Sequence, residues 1–491
     1  MSVWRILFGI GLILLRASIT SAAPMNIVVF LVDDLGQRDI GCYGSTFYET
    51  VHLDQLATQG ATFTQAYAAC PVCSPSRASL MTGRWPQRTG VTDYIGAEWK
   101  NWKRNTPQLP AMYADRLALD EVTVAEMLKM AGYATFFAGK WHLGPEGWFP
   151  ENQGFDVNRG GLDRGGPYGG NKYFSPYGNP RLTDGPAGEH LPDRLATETC
   201  QFMEAHRDRP FLAYFSFYSV HTPLMARKDL QAKYEAKRQS LPEPAHWGRE
   251  GTRDVRLTQD HAVYAGMIEA MDLAVGKVLA KLDELKLTEK TLVVFTSDNG
   301  GLSTSEGWPT SNHPLRGGKG WLYEGGVRVP LIVRWPGVIP AGQTIEAPAC
   351  GIDLLPTILD AAEALPPKEH RLDGLSWRTL LKEPTARPIY WHYPHYGNQG
   401  GAPGSAVRLG NYKLIEWDEG PQRELFDLGS DPGEQTNLVS AMPDKVDELA
   451  KLLQRWRHDV MARPTTKNDS YDPQKSSGRA GGRPAELKPK P

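Results

Sequence analysis

Residues 26–34 read Asn-Ile-Val-Val-Phe-Leu-Val-Asp-Asp. A continuous apolar, β-branched run of this kind is the pattern of a strand covered on both faces, as in a parallel sheet. It delivers two carboxylates, Asp33 and Asp34, at its end. The design recurs downstream, where residues 292–295 lead through Thr296 and Ser297 into Asp298-Asn299-Gly300. A third strand is expected over 133–138, ending in Gly139-Lys140-Trp141-His142-Leu143-Gly144, and a fourth over 211–218, ending in Val220-His221-Thr222-Pro223. Ligands of open α/β sheets bind outside the carboxyl ends of the strands, so the four tips are expected to converge on one site.

The segments between these strands supply helices. Thr123-Val124-Ala125-Glu126 has the form of a capping box opening a helix to Met130, with Gly132 to close it. Apolar positions recur at helical spacing over 260–285, and 352–362 read as another short apolar helix. This alternation predicts an α/β core. Residues 144–192 are dense in Gly, Pro and Asn, and an irregular segment this long is uncommon unless it shapes a site. From about Pro388 the pattern changes to short strands at 406–409, 412–417 and 424–426, then an amphipathic helix over 444–458. The expected organisation is a catalytic unit over 23–387 and a smaller antiparallel unit with a packed helix over 388–463.

A chain of 491 residues fits two or three domains. With 41% hydrophobic and 22% charged residues it is neither a disordered chain nor a multi-span membrane protein. The 54 Lys and Arg oppose 56 Asp and Glu, and a net charge of −2 gives no basic field to draw the chain onto nucleic acid or anionic lipid. The 50 Gly and 38 Pro predict long irregular segments over a compact scaffold. Residues 6–15 are apolar, follow Arg5 and lead into a small-residue stretch, the pattern of a signal peptide over 1–22; an uncleaved anchor is the alternative. The mature protein is then expected to be exported, periplasmic or secreted, with no stable membrane insertion. Residues 464–491, rich in Lys, Arg, Pro, Gly and Ser, read as a flexible tail. Five cysteines are too few for a disulfide scaffold and odd in number. Cys70-Pro71-Val72-Cys73 could be a redox or zinc half-site, but no second such pair accompanies it.

The segment Cys73-Ser74-Pro75-Ser76-Arg77-Ala78-Ser79-Leu80-Met81-Thr82-Gly83-Arg84 reads as a capped helix, with Ser74 as cap, Pro75 at the first position and Gly83 at the end. Cys73 then sits just before a helix N-terminus, where free N–H groups favour an anion. With this motif the chain resembles a type I formylglycine-dependent sulfatase of the arylsulfatase kind, in the alkaline phosphatase superfamily. Cys-x-Pro-x-Arg followed by Thr82-Gly83-Arg84 matches the family signature, as do Asp33-Asp34, Gly139-Lys140-Trp141-His142, His221-Thr222-Pro223 and Ser297-Asp298-Asn299-Gly300. Gly317-Gly318-Lys319-Gly320 leading to Tyr323-Glu324-Gly325-Gly326-Val327-Arg328-Val329-Pro330 completes the set. The resemblance runs from Asn26 to about Asn437. It implies a sandwich with a large, mostly parallel central sheet flanked by helices, plus a smaller C-terminal antiparallel sheet with a packed helix.

The resemblance also implies a chemistry. A sulfate monoester is an anion, so a nucleophile approaching sulfur meets negative charge that must first be neutralised. Asp33, Asp34, Asp298 and Asn299 offer the hard oxygen ligands that a divalent cation takes, with position 73 beside them; the family makes the ion Ca2+ rather than Mg2+. Arg77, Lys140 and Lys319 add positive charge for the sulfate oxygens. Cys73 is expected to be oxidised to formylglycine by a dedicated maturation enzyme, and its hydrated aldehyde to attack sulfur with Asp298 as base. His221 or Lys319 is the expected donor to the leaving alcohol, and His142 the base that expels sulfate from position 73.

For the substrate, Trp99, Trp102, Trp308, Trp321 and Trp391 lie in or near polar segments where sugar faces could stack. His313, Arg316, His392, His395 and Arg408 are candidates for gripping a hydroxyl or a second anion. The stretch Trp391-His392-Tyr393-Pro394-His395-Tyr396 resembles segments of carbohydrate sulfatases, so a sulfated saccharide is the expected partner. Two alternatives stand beside this reading: a phosphoesterase or phosphonate hydrolase of the same superfamily, and an inactive homologue that binds sulfated glycans.

Overall fold

The computed structural model describes residues 24–97, 103–169, 172–382, 386–419 and 422–477. The segment expected as a signal peptide, Trp99 and Trp102 lie outside the described residues.

The strand Asn26–Val32 is buried along its whole length. It pairs in parallel with Thr291–Ser297 on one side and Phe211–Ser216 on the other, as its apolar run on both faces requires. Its alternate residues feed two separate cores. Val28, Phe30 and Val32 pack with the helices Leu191–Ala205 and Ala262–Glu284, whereas Ile27, Val29 and Leu31 pack with Cys73–Thr82, Val124–Met130 and Leu354–Ala361. Each such side chain contributes about 1.5–3 kcal/mol by leaving water, so the sheet is fixed from both faces.

The full sheet has eight strands in the order Gln343–Ile345, Ala61–Phe63, Leu331–Arg334, Thr291–Ser297, Asn26–Val32, Phe211–Ser216, Ala134–Gly139, Val157–Arg159. It is parallel except where Leu331–Arg334 meets its two neighbours. The outer strands of that edge are three or four residues long, too short to carry a sequence pattern of their own. Thr123 and Glu126 form the expected capping box, with Thr123 Oγ1 accepting from Glu126 N at 3.3 Å and Glu126 Oε2 from Thr123 N at 2.7 Å.

A second sheet joins Ile389–Tyr393, Gly404–Leu409, Tyr412–Trp417 and Arg423–Asp427 in antiparallel order. The helix Pro443–Asp459 covers it with Val446, Leu449, Leu453 and Trp456, and Trp456 stacks on Tyr390 at 4.8 Å. One core runs through this unit and into Tyr67, Val72 and Trp321–Tyr323 of the larger one. The segment expected as a free tail has its first part against the large unit, where Thr466–Lys467 pairs with Gln108–Leu109; residues 478–491 are outside the described residues. All five cysteines are unpaired thiols.

Candidate active site

Parallel register places the tips side by side. Val32 is opposite Ser297, so Asp33 and Asp34 emerge next to Asp298, and Asp34 N donates to Asp298 Oδ1 at 3.2 Å. Asp34 turns the chain with φ 61° and His142, past the neighbouring strand tip, has φ 58°. Left-handed backbone in residues other than glycine persists only where surroundings enforce it, and it collects at functional sites. The expected loop over 144–192 returns over this edge. Its Gly165 passes so close that a Cβ there would stand 2.7 Å from His142 Cε1.

The Cys73–Thr82 helix begins two residues earlier than expected. Val72 is the cap and Cys73 the first helical residue, while Ser74 Oγ instead accepts from Ile95 N at 3.0 Å and Pro75 falls at the third position. Proline is tolerated throughout a first turn because those N–H groups have no helical partner. Gly83 ends the helix with φ 65° as expected. Arg77, one turn after Cys73, points the same way. Its Nε meets Asp298 Oδ2 at 2.8 Å and its Nη1 donates to Lys140 O and Ser216 Oγ.

The floor is a set of buried ion pairs. Lys140 Nζ is 2.7 Å from Asp33 Oδ2, and Lys319 Nζ is 2.8 Å from Asp34 Oδ2. Asn299 Nδ2 donates to Asp34 Oδ1 at 2.8 Å. Two oxygens are left over: Asp33 Oδ1 and Asn299 Oδ1 are buried without a hydrogen bond. A buried acceptor without a donor calls for an explanation, and a hard cation is one that suits both. The carboxylates of Asp33 and Asp34 and the imidazole of His221 also bring ligand atoms within 4.8 Å of one another. His221 Nδ1 faces the Thr222 carbonyl at 2.8 Å and so carries the proton. Its Nε2 lone pair then faces Asp34 Oδ2 at 3.7 Å, acceptor against acceptor.

Burial drives most of the proton affinities here. It raises Asp33 well above the usual carboxylate range, with Asp298 and Asp34 adding to it against the pull of Lys140. Burial would raise Asp34 too, but Lys319 and His221 outweigh it and hold that carboxyl below its usual value. For Lys319 burial opposes the charge and Asp34 more than restores it, leaving the ammonium firmly protonated. Burial and Lys140 push His142 well below its usual range, and burial and Lys319 lower His221 to about 4. The Cys73 thiol is pushed up, mainly by burial. A thiol so placed is a poor nucleophile.

His142 Nε2 faces the Ile95 carbonyl at 2.9 Å, so the proton is on Nε2 and the Nδ1 lone pair points at Cys73 Sγ, 3.4 Å away. Both open into a cleft of about 310 Å3 that Tyr94, Gly165, Gly166, His221, Glu306, Lys319, Asn398 and Gln399 also line. Of these, Tyr94, Glu306, Asn398 and Gln399 carry no local motif. Besides His221 and Lys319, whose motifs named them, only the Gly165-Gly166 pair, inside a segment already expected to shape the site, had a sequence signal.

Among the described residues, the structure does not bring the expected sugar-binding residues to the cleft. Arg316 pairs with Glu250 at 2.7 and 2.9 Å and lies 3.8 Å over the Tyr323 ring. His392 spends both nitrogens on Ser405 Oγ and Arg463 O, each at 2.8 Å. His395 is buried against Thr92 Oγ1 at 3.0 Å, and Arg408 against Gln65 and the Tyr67 ring. His313 is exposed beside Pro314 and is not among the residues lining the cleft. Trp308, Trp321 and Trp391 are buried with their indole N–H groups on carbonyl oxygens of Asp254, Gln399 and Ala68. Turn-flanked sequence positions looked exposed, but apart from His313 the described ones are taken up by partners distant in the chain.

A floor of buried cations paired with carboxylates able to ligate a metal, at the carboxyl edge of a mostly parallel sheet and opening on a nucleophile position at a helix start, suits a hydrolase of anionic esters. The sulfatase family description matches residues 25–364, and the description of the C-terminal region of N-sulphoglucosamine sulphohydrolase matches 317–459. The chain belongs to the sulfatase family of the alkaline phosphatase superfamily, and it is an enzyme that hydrolyses sulfate esters. It is 32% identical to a protein named sulfatase from Formosa agariphila, over 86% of this chain and 85% of that one. It is 34% identical to human arylsulfatase A, over 90% of this chain and 89% of that one. The solved structure of Ps i-CgsB superposes with a TM-score of 0.73 at 28% identity, covering 89% of this chain and 93% of that one. Among the described residues no helix is long and apolar enough to cross a membrane.

Proposed function

We propose that the protein is an exported sulfatase acting on a sulfated carbohydrate, with position 73 matured to formylglycine and a calcium ion held by Asp33, Asp34, Asp298 and Asn299. The observation that carries the reading is the approach of Cys73 Sγ to His142 Nδ1 at 3.4 Å, above a floor where Lys140 and Lys319 flank the acidic tips. The unpartnered Asp33 Oδ1 and Asn299 Oδ1 fit the ion, which when bound would supply Lewis-acid neutralisation of a sulfate oxygen. The raised, protonated thiol supports maturation, since Cys73 itself is ill suited to attack.

In this reading the residues of the chain divide the work. Arg77 and the Asp34 backbone N–H hold the two oxygens of the Asp298 carboxylate, which in this reading takes the proton of the attacking hydroxyl at position 73. Lys319, protonated beside Asp34, orients the ester and donates a proton to the departing alcohol. It suits that task better than neutral His221, whose Nε2 has no proton to give. His142, neutral and with its lone pair toward position 73, removes the second proton that releases sulfate. The net reaction consumes one water and yields an alcohol and sulfate.

A saccharide is supported by the relative Ps i-CgsB, which was also solved in complex with k-i-k-neocarrahexaose. The hydroxyl and amide groups of Tyr94, Asn398 and Gln399 at the cleft suit a hydroxylated leaving group. Sulfate release from a panel of defined sulfated saccharides, alongside the mass of the peptide spanning residue 73, tests the reading. Turnover of phosphate esters without sulfate esters, or an unmodified thiol in active enzyme, would overturn it.

A further inference from the structure

The loop that carries Lys319 is an arch from Arg316 to Glu324, closed at its neck by Gly325 N donating to Arg316 O at 2.8 Å. Both feet of the arch rest on one residue of the second unit. Arg316 Nη1 donates to the Glu434 carbonyl oxygen at 3.0 Å, and Glu324 N donates to Glu434 Oε2 at 2.6 Å. Glu434 itself is fully buried with φ 52°, a left-handed conformation that its surroundings must enforce.

Behind it Lys413, also fully buried, lies 2.9 Å from Glu434 Oε1 and 3.0 Å from Glu324 Oε1. The first is an ion-pair contact off the hydrogen-bonding angle, and the second a hydrogen bond. Tyr67 OH completes the cluster by donating to Glu324 Oε2 at 2.8 Å, and Arg328 stands 3.5 Å from the same oxygen. Such a buried ionic cluster adds little net stability over apolar packing of equal volume; what it fixes well is geometry. Here the geometry fixed is that of a loop with glycines at φ 69° and 81° on either side of the catalytic lysine, which would otherwise be soft.

We propose that Glu434, locked by Lys413, is a positioning residue: the C-terminal unit clamps both feet of the Arg316–Glu324 arch and so holds Lys319 over the scissile ester. This gives the second unit a part in catalysis although none of its strands reaches the strand tips. It rests on the reading of Lys319 as a group acting on a sulfate ester.

The test is a double-mutant cycle in the matured enzyme with 4-nitrophenyl sulfate, joined to hydrogen exchange of the peptide spanning 316–326. Glu434→Ala is expected to lower kcat about 10- to 100-fold with KM within about threefold, since small misplacement of a catalytic group costs on this order. Glu434→Gln keeps an acceptor for Glu324 N and is expected to stay within about threefold. In a Lys319→Ala background Glu434→Ala is expected to add less than about threefold, because the group it positions is gone. Exchange across the arch is expected to accelerate in Glu434→Ala while the central strand stays protected. Equal losses in both backgrounds, or unchanged exchange in the arch, would overturn the proposal. Should Glu434→Ala fail to fold, Arg316→Ala, which releases one foot only, enters the same cycle with the same criteria. Failure of the unmutated enzyme to hydrolyse any sulfate ester sinks the functional reading instead, and the exchange experiment still decides the clamp.

Discussion

Two pairs of histidines, buried or half-buried, differ in one respect. His142 and His221 stand past strand tips of the central sheet, and His392 and His395 stand in the second unit. Burial lowers the proton affinity of all four, His221 and His392 to about 4 and His395 to about 3. The pKa direction therefore does not separate function from structure. Unused valence that faces the cleft or the acidic tips does. His142 points a lone pair at Cys73 and into an open cleft, and His221 points one at Asp34 across a gap. His392 has both nitrogens bonded to protein and faces no cleft shared with Cys73. An unbonded nitrogen is not enough by itself, because His395 Nδ1 also lacks a hydrogen bond and faces only Asp93 at 3.7 Å; a functional histidine here is one whose open nitrogen faces the cleft or the acidic strand tips.

The comparison is sharpest at position 73. Cys73→Ala is expected to abolish turnover, a loss of at least about 10^4-fold, while the melting temperature moves by only about 1–2 °C, because the buried thiol is a small apolar group. Kinetics and thermal melts on one preparation check both halves, and substantial residual activity would sink the formylglycine assignment. Asp298→Asn comes next. It weakens the Arg77 pairing and the ion site together, so a fall of about 10^3-fold with loss of bound metal is expected. Unchanged metal content by elemental analysis would count against Asp298 as a ligand. His142→Ala is expected to cost about 10^2-fold as one proton-transfer group, read from kcat.

What the chain revealed in advance follows from the same distinction. The four buried strands were legible because each runs apolar on both faces and ends in polar residues, as 26–34 does. With parallel pairing, that pattern alone collects Asp33, Asp34, Lys140, His142, His221 and Asp298. The helix at Cys73 was legible to within two residues, the error being Ser74, whose hydroxyl was taken by Ile95 from another segment. The rest depended on long-range partners. Nothing near His392 announces that Ser405 and Arg463 will occupy it, and nothing near Arg316 announces Glu250. Gln399 and Asn398 reach the cleft because the second unit packs against the Lys319 arch, a contact between residues far apart in the chain, and Gln399 Nε2 there donates to Glu306 Oε1.

The second unit supplies the smallest effects and the other side of the comparison. His392→Gln is expected to leave kcat within about twofold and to lower the melting temperature by about 2–4 °C, through loss of its bonds to Ser405 and Arg463. A large drop in kcat with no thermal change would reverse the assignment of the two pairs. Acidification then isolates the same group. In the folded chain His392 binds its proton only near pH 4, whereas unfolded histidine binds it near 6.5. Between those values the unfolded state holds more protons, so stability rises with pH there. His392 thus adds stability that is fully present above about pH 6.5 and is lost as the pH falls toward 4, at a slope of at most about 1.4 kcal/mol per pH unit. Other groups titrate in this window too, carboxylates above all, but they are common to both proteins. The difference in melting temperature between unmutated enzyme and His392→Gln should therefore narrow as the pH is lowered from 7 to about 4.5. A difference that stays constant across that range would mean that His392 is protonated in the folded state and that one of its two acceptor contacts is made by a charged ring.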